Sequence, residues 1–186
     1  MMIETPRIRL RRWQDRDRDA FAGLHADPEV MADYGGPLDR PQSDAKLDRY
    51  VAAFDRCGFS RWAIETPDGG FLGYAGIMPS RPEHPLGPHV EIGWRLLRAA
   101  WGRGYATEAA TAALRDGFAR CALAEVLAYT APDNLRSQAV MARLRLRRDP
   151  SRDFSVPDGR RTWHGLVWVA RPGPELSPPW LSSSFA

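Results

Sequence analysis

A glycine-rich turn between a predicted strand and a predicted helix is the segment of this sequence best suited to chemistry. In EIGWRLLRAAWGRGYATEAA, Gly102 and Gly104 allow the backbone to pass close to a bulky anion, and a helical pattern begins directly after them. A helix start offers unpaired N–H groups and the positive end of the helix dipole. The segment therefore predicts a binding site for a phosphate or pyrophosphate group.

Three classes of phosphate ligand compete for this turn, beside a purely structural turn that binds nothing. Thr107 replaces the third glycine of a dinucleotide fingerprint, and no acidic residue ends a second parallel strand at the usual distance, so a dinucleotide fold is weakly supported. A P-loop is excluded because no Gly-Lys-Ser/Thr follows the glycines. The motif alone leaves two interpretations open: a cradle for the pyrophosphate of coenzyme A, and the structural turn.

The apolar periodicity around the turn predicts a mixed α and β architecture. HVEIGWRLL (89–97) alternates as a strand, with Glu91, Gly93 and Arg95 on the face opposite its apolar residues. The pattern then predicts a helix over 105–119, a strand at 124–131, a helix from Asp133 or Asn134 to about 144, and a strand at 163–169. The tail over 171–186 is rich in proline and serine and is predicted to be disordered, which leaves residues 1–170 as a single domain.

Upstream of the turn, the pattern predicts a half-exposed strand, three helices and a hairpin. The strand covers 7–13, the helices about 17–26, 27–34 and 41–56, and the hairpin strands 60–66 and 70–78. The third helix has a predicted buried stripe of Leu47, Tyr50, Val51 and Phe54. A proline-rich loop follows the hairpin and is either a surface connection, the favoured interpretation, or a lip over a substrate site.

The composition argues against several classes of function. The 186 residues carry a net charge of +3, and charges of both signs are mixed rather than gathered in a basic stripe, which disfavours nucleic-acid binding. No apolar run is long enough to span a membrane, and the first residues lack the pattern of a secretory signal. Cys57 and Cys121 are far apart, which fits a reducing cytoplasm, and the four histidines lack metal-ligand spacing. Lys46 is the only lysine among 26 basic residues.

Several motifs in one order resemble the GNAT N-acetyltransferases, specifically the RimJ/RimL-like branch of ribosomal-protein N-terminal acetyltransferases. IETPRIRLRRW is similar to the family's opening strand, DPEVM to the start of its second helix, and GWRL followed by WGRGYATEA to its motif A. TAPDNLRSQAVMARL then follows with family-like spacing. The resemblance covers about residues 3–155. It implies an α/β protein of the GNAT fold, with a mixed central sheet, a splayed pair of parallel strands and flanking helices.

The resemblance also implies acetyl-CoA as co-substrate, lying in the gap between the splayed strands, and no metal. It implies that the pantetheine arm pairs with the backbone near Trp94, Arg95 and Leu96, and that the pyrophosphate binds along Trp101, Gly102, Arg103, Gly104, Tyr105 and Ala106. Asn134 matches a family asparagine near the pantetheine, and Ser137 matches the position of a hydroxyl near the thioester sulfur. The alternatives are a helix cap for Asn134 and an ordinary residue of the first helical turn for Ser137.

Acetyl transfer needs a base for the amine, a donor for the departing sulfur and accurate placement of both substrates. Glu91 is the candidate base, acting through water, because it lies on the strand that presents the thioester; a salt-bridged carboxylate without a catalytic role is the alternative. Ser137 is the candidate donor. Glu108, within the helix after the turn, is expected to orient the turn, and His164 is expected to be packed among apolar residues.

The sequence thus predicts an acetyl-CoA-dependent N-acetyltransferase acting on a primary amine, with a protein or peptide N-terminal amine as the leading acceptor. The alternatives are a small-molecule amine, antibiotics included, and a non-catalytic acyl-CoA-binding protein. A cytoplasmic monomer or homodimer without nucleic-acid or membrane partners is expected. Two segments depart from the family pattern: Leu144-Arg145-Leu146, where a glycine is usual, and DFSVPDGRRTWHGLVWVA, in the region that normally lines the acceptor site. The acceptor is therefore less well supported than the cofactor.

Overall fold

A computed structural model of the protein describes residues 1–158 and 161–173. Its strands are β1 (Met2–Glu4), β2 (Arg9–Arg11), β3 (Arg61–Glu65), β4 (Phe71–Pro79), β5 (Val90–Leu96), β6 (Val126–Thr130), β7 (Arg147–Arg148), β8 (Phe154–Asp158) and β9 (Arg161–Ala170). Its α-helices are α1 (Arg18–Ala26), α2 (Arg40–Cys57), α3 (Tyr105–Cys121) and α4 (Leu135–Arg143). None of these four helices combines the length and the apolar character that a membrane crossing requires.

The strands form one mixed sheet in the order β1-β2-β3-β4-β5-β6-β9-β7, with β8 paired to β9. Every pairing is antiparallel except that of β5 with β6, which is parallel and has a single register pair, Glu91 with Leu127. From Ile92 onward, the edge of β5 that faces β6 has no strand partner. The predicted α/β fold with a splayed parallel pair is therefore confirmed.

Helices cover both faces of the sheet, so the two faces of β5 lie under different helices. The helices α3 and α4 pack on the face that carries Ile77 and Ile92, whereas α1 and α2 pack on the face that carries Tyr74. A Cβ added to Gly117 of α3 would lie 2.5 Å from the Cδ1 atom of Ile77, so the glycine allows close contact with the sheet. The polar face of β5, with Glu91, Gly93 and Arg95, is the face that carries Tyr74 and lies on the side of α2.

The segment 27–34 differs from its predicted helix. The Asp27 carboxylate caps the turn as expected, because its Oδ1 accepts hydrogen bonds from the N–H groups of Glu29 and Val30 at 2.8 and 3.2 Å. The helix does not propagate beyond turns and one 3-10 turn at Ala32–Tyr34, and Gly35 follows with a φ of 84°. Two glycines and a proline follow directly, so the segment is too short to offset the cost of helix nucleation.

The first predicted strand is half-exposed as expected at Arg7 and Arg9, but Arg11 on the same face is buried. Ile8 and Leu10 pack in the core, and on the opposite face Arg11 lies between the carboxylates of Asp17 and Glu65, at 2.7 and 2.6 Å. The guanidinium is buried because two carboxylates compensate its charge.

In the predicted buried stripe of α2, Val51 is 39% exposed, and Ala53 is buried instead.

Three strands, β1, β7 and β8, were not predicted, and part of the tail lies outside the described residues. The strand β1 pairs with β2, and β8 forms a hairpin with β9 that adds to the edge of the predicted strand 163–169. These segments lack a strong apolar alternation of their own. They become strands because each pairs with a neighbouring strand of the sheet, which the local sequence does not reveal. Of the predicted disordered tail, residues 174–186 lie outside the described residues.

Candidate active site

The gap between β5 and β6 opens into a cleft of about 690 Å³. The cleft is lined by residues of α2, β4, β5, the loop over 79–85, β6, α4 and the β8–β9 hairpin. Four of the residues predicted for the site contribute to its walls: Glu91, Trp94, Arg95 and Ser137. The register of β5 therefore brings the candidate base and the candidate sulfur donor to one cavity.

Glu91 lies in the cleft and is also held by an ion pair. Its Oε1 atom lies 2.6 Å from Nη2 of Arg61, and the Arg61 guanidinium also donates to the carbonyl of Gly76. A Cβ added to Gly93 would lie 3.0 Å from Nη2, so the glycine makes room for the guanidinium on the face of β5. The Glu91 side chain is 22% exposed, and its Oε2 atom has no hydrogen-bond partner among the described residues. One carboxylate oxygen thus remains available to a water or an amine.

Asn134 caps α4 and connects it to the opposite wall of the cleft. Its Oδ1 accepts from the backbone N–H of Ser137 at 3.1 Å, and its Nδ2 donates to Oδ2 of Asp33 at 3.2 Å. Asp33 also forms an ion pair with Arg95 at 2.7 Å. The capping alternative for Asn134 is therefore confirmed, while the Ser137 hydroxyl has no hydrogen-bond partner within residues 1–158 and 161–173.

The turn before α3 has the backbone geometry of an anion cradle. Gly102 and Gly104 have φ values of 74° and 81°, and Gly104 is the N-cap of α3 without any side-chain cap. The first N–H groups of α3, from Tyr105 and Ala106 onward, therefore depend on an external acceptor. A Cβ added to Gly102 would meet no atom within 4 Å, so this side of the turn is open. These features fit the pyrophosphate of a coenzyme A molecule.

Arginines surround the aromatic residue at the start of the turn. The guanidinium carbons of Arg98 and Arg136 lie 4.8 and 4.1 Å from the centre of the Trp101 ring. The Trp101 indole N–H donates to the carbonyl of Leu96 at 2.9 Å. The indole thus contacts the end of the β5 edge that faces away from β4, and the pairing of a pantetheine arm with Trp94, Arg95 and Leu96 stays a prediction.

Glu108 anchors the turn, as expected. Its carboxylate accepts from Thr5 Oγ1 at 2.7 Å and from Arg7 Nε at 2.7 Å, and the same arginine donates through Nη1 to the carbonyl of Arg103 at 2.8 Å. Glu108 and Arg7 together fix the middle of the glycine turn relative to α3. Glu108 does not line the cleft.

Comparison with known proteins identifies the family. Residues 7–147 match the family model for the acetyltransferase (GNAT) domain. The chain belongs to the GNAT acetyltransferase family. It is an acetyl-CoA-dependent N-acetyltransferase, and relatives named as N-acetyltransferases in Bacillus subtilis (strain 168) agree with this activity.

Individual relatives cover most of the chain. It is 37% identical over 144 residues to the uncharacterized protein YkkB of Bacillus subtilis (strain 168), which spans 76% of this chain and 83% of YkkB. It is 30% identical over 148 residues to an FsC-acetyl coenzyme A-N(2)-transacetylase of Aspergillus fumigatus, which spans 75% of this chain and 62% of that protein.

Two solved structures share the fold. The acetyltransferase from Agrobacterium tumefaciens str. C58 has a TM-score of 0.78 and 29% identity, over 92% of this chain and 95% of the other. RimL, a ribosomal L7/L12 alpha-N-protein acetyltransferase solved with coenzyme A, has a TM-score of 0.70 over 92% and 98%, and its 13% identity makes this a likeness of fold alone.

A buried polar cluster that sequence reasoning missed adjoins the GNAT cleft through Tyr74, which lines it. His25 is fully buried, and its Nδ1–H donates to the carbonyl of Phe21 at 2.9 Å, so its Nε2 is left to accept from the Tyr74 hydroxyl at 3.4 Å. Burial, aided by the charge of Lys46, lowers the pKa of His25 to about 3. Burial raises the pKa of Tyr74, but the positive charges of Lys46 and Arg95 outweigh it and hold that pKa below its ordinary value.

The proline-rich loop borders the GNAT cleft rather than only connecting two strands. Its His84 lines the cleft, and the ring lies 4.7 and 4.9 Å from the rings of His89 and Tyr129. Burial lowers the pKa of His84, with a further contribution from His89. His84 accepts from the backbone N–H of Leu86 through Nδ1 at 3.2 Å, so its neutral form carries the proton on Nε2.

His164 is not packed among apolar residues, contrary to expectation. It is exposed, and its Nδ1 atom lies 2.8 Å from the hydroxyl of Ser155. The unpredicted hairpin explains the difference, because His164 pairs with Ser155 across β8 and β9 and points away from the core.

Within residues 1–158 and 161–173, no group of three or more potential ligands could hold a metal ion.

Proposed function

We propose that this GNAT enzyme acetylates the N-terminal amine of a peptide or protein. The observation that carries the acceptor class is the size and extent of the cleft, about 690 Å³ with walls from α2 to the β8–β9 hairpin. The pantetheine end of acetyl-CoA takes the part of this space beside Trp94 and Ser137, and the remainder, toward α2 and the β8–β9 hairpin, offers room for the first residues of a peptide. The sequence resemblance to the RimJ/RimL-like branch supports the same acceptor.

The names of two related proteins point to different acceptors. RimL is named as an acetyltransferase of the α-amine of ribosomal L7/L12, whereas the Aspergillus fumigatus relative is named as an N(2)-transacetylase. Because the second protein has the higher sequence identity, a small-molecule amine is the second candidate. The primary amine as nucleophile is common to both.

The proposed reaction is a direct attack by the amine within a ternary complex. Acetyl-CoA supplies an acetyl group activated as a thioester. Residues 102–106 bind its pyrophosphate, Glu91 takes a proton from the amine through a water, and the Ser137 hydroxyl donates to the departing sulfur. Neither Cys57 nor Cys121 lines the cleft, which argues against a covalent acetyl-enzyme on either of these thiols.

A screen with acetyl-CoA tests this function. The purified protein is incubated with a library of peptides with free N-termini and a panel of small primary amines, and products are detected by intact mass. N-terminally acetylated peptides are expected. Products formed only from small amines would select the second candidate. Tight acetyl-CoA binding with no product from any amine would indicate an acyl-CoA-binding protein instead.

A further inference from the structure

The only lysine of the chain lies in the wall of the cleft. Lys46 is 8% exposed, lines the cavity and has its Nζ atom 4.2 Å from the centre of the Tyr34 ring. No carboxylate among the described residues forms an ion pair with it. Most of the side chain is buried in the wall, and an ammonium that reaches the cleft without an anionic partner would be stabilised by a negatively charged ligand there.

The surrounding charges have the same sign. The lining contains six cationic side chains and two carboxylates, an excess of four positive charges: Lys46, Arg49, Arg56, Arg61, Arg81 and Arg95 against Asp33 and Glu91. Both carboxylates are already paired, Glu91 with Arg61 and Asp33 with Arg95. Lys46, Arg49 and Arg56 lie on one face of α2, at spacings of three and seven residues.

The phosphates of coenzyme A do not account for this charge. The pyrophosphate cradle at residues 102–106 contributes none of the residues that line the cleft. Two cations of α2 instead lie over aromatic rings of the cleft, Lys46 over Tyr34 at 4.2 Å and Arg49 over Tyr50 at 5.7 Å. They line the same cleft as the candidate base Glu91, apart from the pyrophosphate cradle.

We propose that Lys46, assisted by Arg49, forms an anion-binding subsite, and that the acceptor is a primary amine that carries a carboxylate or a phosphate. This rests on the proposed function and narrows its substrate class. The positive cleft also disfavours the protonated form of the incoming amine, so the subsite both holds the acceptor and favours the neutral nucleophile. The anion belongs either to an acidic side chain near a peptide N-terminus or to a small amino acid or aminoalkyl phosphate.

Calorimetric titration of the protein saturated with coenzyme A tests the subsite without turnover. Three matched pairs serve as probes: Ala-Asp-Ala-Phe-amide and Ala-Asn-Ala-Phe-amide, 4-aminobutanoate and 4-aminobutanamide, and 2-aminoethyl phosphate and ethanolamine. We expect the anionic member of at least one pair to bind at least tenfold more tightly, and the pair that responds distinguishes a peptide from a small-molecule source. Equal affinity within every pair, or no binding by any probe, would overturn the proposal.

Variants assign the preference to Lys46. Lys46→Met has nearly the same length and no charge, and it should reduce the anion preference to less than threefold, whereas Lys46→Arg should keep most of it. Arg143→Gln removes an exposed cation at the end of α4, outside the cleft, and should leave the preference unchanged. A preference that survives in Lys46→Met would reject the subsite. If Lys46→Met does not fold, Arg49→Gln serves instead and should lower the preference at least threefold; an unchanged preference there rejects the proposal.

Turnover of the same probes with acetyl-CoA separates the two proposals. An anion preference in binding without any acetylated product would leave the subsite standing and remove the transferase assignment to these acceptors. Acetylation of both members of each pair at equal kcat/KM and equal affinity would support the transferase and reject the subsite.

Discussion

The guanidinium of Arg61 lies across Gly93 and contacts the Glu91 carboxylate at 2.6 Å. A buried cation from β3, two strands away in the sheet, therefore holds the candidate base in place. The ion pair occupies one carboxylate oxygen, and the other has no hydrogen-bond partner among the described residues. The salt bridge offered as the alternative for Glu91 is therefore present, and its role as the base stays a prediction.

Glu91→Gln should lower kcat by about 10²-fold or more, because removal of one proton-transfer group costs about 10²–10⁴ in rate. The amide oxygen still accepts from Arg61, so acetyl-CoA affinity should be nearly unchanged. Glu125→Gln is the matched control, since Glu125 also pairs with arginines but does not line the cleft. The measurement is kcat from pH 6 to 9 on an acceptor found in the screen. A kcat equal to that of the wild type throughout would remove Glu91 from the mechanism.

Ser137→Ala should lower kcat less, by about tenfold, because water can protonate a thiolate whose pKa is near that of a free thiol. The cap of α4 should persist, since Asn134 accepts from the backbone N–H of residue 137 and not from its hydroxyl. Steady-state kinetics and the thermal midpoint are measured together. A loss of thermal stability that accompanied the loss of rate would assign Ser137 a structural role.

Gly102→Val should weaken acetyl-CoA binding at least tenfold, because a side chain would fill the open side of the cradle. Gly102 is preferred over Gly104, where a Cβ would also lie 3.2 Å from Arg7. Gly69→Val is the control: its φ of 92° imposes comparable backbone strain in the β3–β4 turn, and a Cβ there also meets no atom within 4 Å. Calorimetry on the folded variants decides. Equal affinity in the two valine variants would show that the pyrophosphate binds elsewhere.

Arg145→Gly should raise the free energy of unfolding by several tenths to about 1 kcal/mol. Arg145 follows the end of α4 with a φ of 55°, and its N–H bonds the Ala142 carbonyl while that of Leu146 bonds the Met141 carbonyl. This is the Schellman arrangement, in which glycine is favoured. Arg145 thus takes a left-handed conformation in the segment where the family pattern usually has a glycine. Urea denaturation provides the test, and a lower midpoint for the glycine variant would contradict the expectation.

Stability should fall as the pH decreases from 6.5 toward 3, in part through His25. Its folded pKa of about 3 lies below the unfolded value of 6.5, so between these values the unfolded chain binds a proton that the folded chain excludes. The contribution is intact above pH 6.5 and is reduced by about 2 kcal/mol at pH 5. His25→Gln should show a shallower dependence of unfolding free energy on pH over this range. Parallel pH profiles for variant and wild type would contradict the assignment.

Prediction of the site from the sequence was correct where the structure of a segment is determined by its own local pattern. The strand β5, the glycine turn and α3 are consecutive, so alternation and glycine spacing were sufficient to predict them and the position of Glu91. Arg61 and Lys46 were missed because their roles arise from the register of β3 against β4 and β5 and from the face of α2 that turns inward, neither of which leaves a local signal. The rarity of lysine was the one clue available for Lys46.

His164 and Arg11 show the opposite error. In both, the side-chain pattern gave the correct element but the wrong environment, because burial depends on which element covers a face. An unpredicted hairpin leaves His164 exposed, and two carboxylates allow Arg11 to be buried.

The position of the single lysine makes the cleft selectively observable. Reductive dimethylation with ¹³C-formaldehyde modifies ε-amino groups and leaves arginine unchanged, so Lys46 is the one side chain of this protein that can take the label. The dimethylated amine keeps its positive charge. An NMR spectrum of the labelled protein would therefore contain one side-chain methyl signal, from inside the cleft, beside that of the dimethylated N-terminal amine, and the arrival of each candidate substrate could be followed with it.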